Sequence, residues 1–259
     1  MNELKDNNCS TNLVVGQFFS PQILVEEKDF LIVYKPPGMH SAPLANSARA
    51  DTLLDWCVLR FPEVADLPGR KAGEGGLLHR LDYETQGLLL FARTKPGMEF
   101  LLAQQTEGRI LKEYSALAAN SEIQAPGFPA GKPDYRPPAR IQSDFRPYGP
   151  GRKAVRPVLN ADGEYVTEIL EANPLVNGIT AFRVRICRGF RHQIRCHLAW
   201  LGMPIVNDSL YGGAVQGGGA FGDGLLCLRA CSLLFTDPAG RERFFSISPL
   251  ESAAVPINF

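Results

Sequence analysis

The sequence predicts an α+β fold with a mixed, mainly antiparallel central sheet and flanking helices and loops. Three observations lead there. Short β-like runs occur both as hairpins and between helical stretches. Residues 179–187 show the clearest alternation in the chain, with Phe182, Val184 and Ile186 on one face and Arg183 and Arg185 on the other. A helical period then runs from His192 to Leu201, with Ile194, Leu198 and Leu201 at i, i+4 and i+7.

The elements follow in order. Residues 1–20 read as a short N-terminal tail, and 21–259 as one catalytic-sized domain, which the length allows to have two lobes. Ile23–Val25 and Phe30–Val33 form a hairpin, closed off by Lys35-Pro36-Pro37-Gly38 because proline cannot donate to a ladder. A helix is expected over Asp51–Arg60 with Asp51 as N-cap, then a Pro/Gly loop over 62–76. Leu88–Phe91 is a buried strand. Pro96–Glu107 is a helix with proline in its first turn and Gly108 past its end. Arg109–Ala118 returns as a strand. Residues 125–157, rich in Pro, Gly and Arg, read as an irregular crossing, and Tyr165–Glu171 as a strand. The chain ends with Leu225–Phe235, a turn at Asp237–Gly240, and a strand over Arg243–Ile247.

Composition bounds the function. Apolar residues make up 45% of the chain, enough for a core, and no run approaches a membrane span. The N-terminus is polar rather than a secretory leader, which points to the cytoplasm. The six cysteines include no CxxC pair; Cys196-His197 and Cys227/Cys231 fit no zinc spacing, so they read as buried free thiols. The net charge is zero, but its distribution is uneven. Residues 131–156 hold seven Lys/Arg against two Asp, and 183–195 hold five Arg and no acid. Such stretches suit a face that follows phosphates, or an ordinary solvated surface. There is no Walker loop, dinucleotide loop or metal cluster, so no cofactor and no metal is expected.

The chemistry concentrates in Leu78–Phe91, where His79, Arg80 and Asp82 stand between a Gly-rich loop and an apolar strand. Charged groups wedged against a core-building run form either a buried ion pair or a site.

This stretch resembles the HRLDxxTxGLLLFA signature of the RluA-like RNA pseudouridine synthases. The resemblance continues in the opening hairpin (Ile23–Gly38), in Lys112-Glu113-Tyr114-Ser115-Ala116, and in His192-Gln193-Ile194-Arg195-Cys196-His197-Leu198. It runs on through Gly202–Val206 with Asp208, Leu210, Tyr211 and Gly212, and spans roughly residues 22–250.

The resemblance implies an isomerase that converts a uridine of tRNA or large-subunit rRNA to pseudouridine. It assigns Asp82 as the essential carboxylate, Tyr114 as the tyrosine against the uracil, and Arg195 as the basic partner of Asp82. Ile194 would supply an apolar wall. From the residues themselves, Arg80 reads as an RNA contact beside the target or an ordinary surface ion pair, His192 and Gln193 as framework or phosphate contacts, Arg191 as a stand-in for the family arginine, and Lys112 as a phosphate contact or a half-exposed strand lysine. The physical reading agrees: a uridine inside folded RNA must leave its stack, and an aromatic face receives the flipped base. Strand alternation places Tyr114 on one face with Lys112 and Ile110. His79 reads as a structural hydrogen-bonder, and His40 has no assigned role.

Two departures stand out. Gln86 occupies a position that usually holds a small hydroxyl residue, and Phe190 precedes Arg191 where the family arginine normally sits one place earlier. About 20 residues precede the first hairpin, so no separate N-terminal RNA-binding module is expected, and Arg136–Arg156 is the candidate for added RNA contact. A monomer is the default expectation. The alternatives are a non-catalytic RNA-binding protein on the same fold and a glycosidase using Asp82 and Glu84, which lacks a second matched motif.

Overall fold

The computed structural model describes residues 9–15, 19–43, 51–122, 127–160, 163–213 and 224–250. Among them the chain runs β1 (Cys9–Asn12), β2 (Gln22–Glu26), β3 (Phe30–Lys35), α1 (Leu53–Val58), β4 (Gln86–Ala92), α2 (Lys95–Glu107), β5 (Leu111–Ala119), β6 (Ala139–Tyr148) and β7 (Ala154–Val158). It continues through β8 (Tyr165–Pro174), β9 (Ile179–Ile186), α3 (Gln193–Trp200), β10 (Leu228–Thr236) and β11 (Glu242–Ser246). The pairing is mostly antiparallel, as the hairpin-rich pattern predicts. Contacts divide the chain into two compact units, Met1–Lys112 with Ala230–Ser248, and Glu113–Arg229 with Pro249–Phe259.

The first unit orders its strands β2-β3-β4-β10, with β11 on β10 and β1 parallel to β11. The stretch expected to be a tail therefore contributes a strand, through Cys9–Asn12; Met1–Asn8 lie outside the described residues. Every residue of β3 and β4 is buried, which explains their continuous apolar runs. Phe30, Ile32, Tyr34, Leu88, Leu90, Leu101, Phe235 and Phe245 share one core. Gly87 is required where β4 passes β10: its φ is 127°, and a Cβ there would lie 2.2 Å from the Ala230 carbonyl oxygen. The cap of α1 is Thr52, one place after the expected Asp51, because Asp55 completes a capping box with it. Thr94 caps α2, and Gly108 closes it in the left-handed region.

The second unit orders its strands β5-β9-β8-β6-β7. An irregular crossing is expected over 125–157, but β6 and β7 pair antiparallel there. Their alternation was present in the sequence: Ile141, Ser143 and Phe145 are buried, while Arg140, Gln142 and Arg146 are exposed. The abundant Arg and Pro hid it. All eight residues of α3 are buried, polar ones included. His197 bonds Ser143 Oγ at 2.9 Å and Thr167 Oγ1 at 2.8 Å, and burial lowers its pKa to about 3, so its ring is neutral. Gln193 donates to the Val166 carbonyl at 2.9 Å and accepts from the Phe190 N–H at 3.0 Å. These bonds fix the helix on β6 and β8.

Candidate active site

Asp82 lies half-buried in the loop leading into β4. Its neighbours' peptides are fixed on both sides. The Ser41 hydroxyl donates to the Leu81 carbonyl at 2.9 Å and accepts the Leu81 N–H at 3.0 Å. The Tyr83 carbonyl accepts the Gly38 N–H at 2.9 Å and Lys35 Nζ at 3.2 Å. A turn closed by Thr85 N–H on the Asp82 carbonyl (3.1 Å) completes the loop. Lys35 has its three donors on the carbonyls of Tyr83, Pro36 (2.8 Å) and Met39 (2.8 Å). Burial lowers its pKa to about 7, against the upward pull of the Asp82 and Glu84 carboxylates. Sequence reading saw Lys35 and Gly38 only as a strand ending and did not name Ser41. Their signal was a Lys-Pro-Pro-Gly turn with a hydroxyl three residues on, which becomes meaningful once that turn is placed against the Asp82 loop.

The remaining predicted residues of this unit separate clearly. Arg80 is exposed and forms an ion pair with the buried Glu74. His79 is buried, and its Nε2 accepts the Leu90 N–H at 3.3 Å. Its pKa lies well below the ordinary value because of burial, then the charges of Lys112 and Arg70. It is a framework group, as expected. Lys112 is also buried and contacts the Ile110 carbonyl at 3.5 Å. Gln86 Oε1 accepts the Tyr34 hydroxyl at 2.8 Å, so this departure from the signature serves the core. His40 packs its ring on Tyr83, with centroids 4.7 Å apart.

In the second unit Tyr114 is buried on β5, and Ile194 and Arg195 are buried on α3. Arg195 presents its Nε and Nη2 side to Asp208, at 2.8 and 2.9 Å. Asp208 also accepts the N–H groups of Leu210 and Tyr211. The Tyr211 ring centroid lies 5.7 Å from the Arg195 guanidinium carbon. A bidentate pair with its remaining acceptor capacity used holds the guanidinium in one orientation. Sequence reading matched Asp208 and Tyr211 to the family pattern without giving them this task. His192, in the left-handed region, places Nδ1 3.3 Å from the Tyr211 hydroxyl.

Phe190 stacks on Phe145, with centroids 5.1 Å apart and planes at 12°, and also meets Tyr165. The displaced arginine is explained by this packing: Phe190 fills an aromatic cluster, and Arg191 is exposed with Nη2 on the carbonyls of Arg152 (2.9 Å) and Ala154 (3.2 Å). The basic stretch 183–195 is largely neutralised. Arg183 pairs with Glu113 at 3.2 Å and with Glu171, Arg185 with Glu113 at 2.6 Å, and Arg188 with Glu164 at 3.3 Å. A linear charge count misses acids supplied by neighbouring strands.

Five cysteines are free thiols among the described residues, four of them buried. Burial pushes Cys57 up to about 12 and Cys227 up to about 11, which keeps them protonated and unreactive. No described helix is long and apolar enough to cross a membrane.

A family model described as RNA pseudouridylate synthase matches residues 29–200, from β3 to the end of α3. The chain belongs to this family. It is similar to the ribosomal large subunit pseudouridine synthase D of Haemophilus ducreyi, 30% identical over 200 residues, covering 75% of this chain and 55% of that protein. The Escherichia coli K12 protein of the same name is 29% identical, with the same shares covered. The chain thus spans about half the length of these relatives. The human RNA pseudouridylate synthase domain-containing proteins 1 and 4 share the fold, each with a TM-score of 0.57. They are 23% and 19% identical, covering 87% and 88% of this chain and 82% and 88% of theirs.

Proposed function

We propose that this protein is an RNA pseudouridine synthase acting on a uridine of large-subunit ribosomal RNA. The observation that carries the reading is the family match over residues 29–200, which includes Asp82 on a loop whose flanking peptides are both clamped. Asp82 acts on the ribose or the base as the C1′–N1 bond breaks. The uracil turns, C1′ bonds to C5, and the hydrogen of C5 leaves as a proton. The reaction is redox-neutral. Tyr114 lies against the uracil and serves the final deprotonation, and Ile194 supplies an apolar wall. Arg195, held in one orientation by Asp208, is the basic residue that the family resemblance assigns to the reaction. Arg80 contacts RNA beside the target by leaving Glu74. His192, Gln193 and Lys112 act from within the framework, and Arg191 from the surface.

The ribosomal choice rests on the names of the relatives; transfer RNA is the other substrate the resemblance implies. Purified protein is incubated separately with large-subunit ribosomal RNA and transfer RNA carrying tritium at uridine C5. Release from the ribosomal pool is the expected result. Release from transfer RNA alone corrects the substrate, and release from neither removes the reading.

A further inference from the structure

In the second unit, the β6–β7 hairpin carries a cluster of positive charge that no described carboxylate pairs with. Arg146 and Arg156 stand directly opposite each other across it, so both side chains project to the same face. Like charges in that relation cost stability unless an anion joins them. Between Ala139 and Val158 there are five basic residues and one acid. That acid, Asp144, turns its carboxylate to the Asn160 amide and the Glu164 N–H. Among the described residues, no carboxylate lies within 4.0 Å of the charged groups of Arg146, Arg152, Lys153, Arg156 or Arg191. Elsewhere in the unit Arg183, Arg185, Arg188 and Arg195 are all paired with acids. Arg191 is also tied to this hairpin by its bonds to the Arg152 and Ala154 carbonyls.

We infer that this face of the hairpin, centred on Arg146 and Arg156, is a cradle for the phosphate backbone of the RNA substrate. The inference rests on the proposed RNA activity and narrows the basic stretch 131–156 to this paired core. Arg146 is exposed and Arg156, with one Nη1 donor on the Gly127 carbonyl at 2.8 Å, keeps further N–H donors, so two arginines paired on a ladder can follow a phosphate backbone whatever its sequence.

The test compares wild type with Arg146→Gln/Arg156→Gln, and with Arg146→Lys/Arg156→Lys as rescue. Ribosomal RNA affinity is measured from 50 to 200 mM salt, beside tritium release and melting temperature. Each lost phosphate contact lowers the log–log salt slope by about 0.7–0.9. The glutamine pair should therefore flatten the slope by one to two and raise KM about tenfold at 100 mM salt, with kcat unchanged. The lysine pair should restore the slope, and the glutamine pair should melt no lower than wild type in low salt because the repulsion is gone. An unchanged slope and KM would overturn the cradle, as would polyglutamate competing as strongly as RNA of equal charge. Tritium release by wild type reports on the isomerase separately: release with an unaltered slope sinks the cradle alone, and an altered slope without release sinks the isomerase alone.

Discussion

Replacing Ser41 by alanine removes one oxygen and leaves two backbone groups without a partner. In the native chain this hydroxyl, almost wholly buried, serves both the N–H and the carbonyl of Leu81. Alanine fills nearly the same space, so the lost contact area is small and the polar groups decide the outcome. A buried group left unpaired costs about 1–3 kcal/mol. Two such groups, relaxing partly toward solvent, give a predicted loss of about 2–4 kcal/mol. The catalytic consequence is larger than the stability loss suggests, because Leu81 directly precedes Asp82. A displacement of about 1 Å at a reacting group costs on the order of 10²-fold in rate. Urea unfolding should show a lower midpoint at an unchanged m-value, and tritium release should fall by about 10²-fold while RNA affinity holds. Stability within about 0.5 kcal/mol of wild type, together with full activity, would refute the clamp.

Lys35→Met tests the other side of the same loop. Burial brings the folded lysine down to about 7 from the ordinary 10.5, so between these values the unfolded chain holds a proton that the folded chain does not. Stability contributed by this group therefore rises with pH across that window, by up to about 1.4 kcal/mol per pH unit. Denaturation at pH 7.5, 8.5 and 9.5 should show that rise in wild type relative to the methionine variant, and parallel curves would contradict it. Asp208→Asn leaves the buried Arg195 guanidinium short of its counter-charge and should cost about 3–5 kcal/mol in urea unfolding together with most of the activity; an active variant of native stability would rule out the positioning role. Phe190→Ala should lower stability by about 2 kcal/mol through the lost aromatic stack and leave RNA affinity unchanged. Weakened RNA binding at native stability would instead make Phe190 an RNA contact.

Much of the fold was legible because its signals are local. The alternation of β9, the apolar run of β4, and the proline and glycine that bracket α2 are each read within a dozen residues. The β6–β7 pair was hidden because Arg, Pro and Gly at its exposed positions resemble loop composition, although the inward positions keep period two. The short β1 was missed because Cys-Ser-Thr-Asn carries no strand pattern; its parallel pairing with β11 forms the strand. Of the candidate site residues, Asp82, Tyr114 and Arg195 stood out by motif. Ser41 and Asp208 act through contacts 40 and 13 residues away in sequence, and no local pattern announces them. The arginines of β9 misled for the same reason, since their counter-charges sit on β5 and β8.

The most direct test of the account replaces Asp82 by asparagine, which keeps the shape of the side chain and removes its charge. Wild type and Asp82→Asn are compared on ribosomal RNA tritiated at uridine C5, with RNA binding measured in parallel. The account predicts equal binding, tritium release by wild type, and none by the variant. Release by Asp82→Asn at the wild-type rate would show that the chemistry does not pass through this carboxylate.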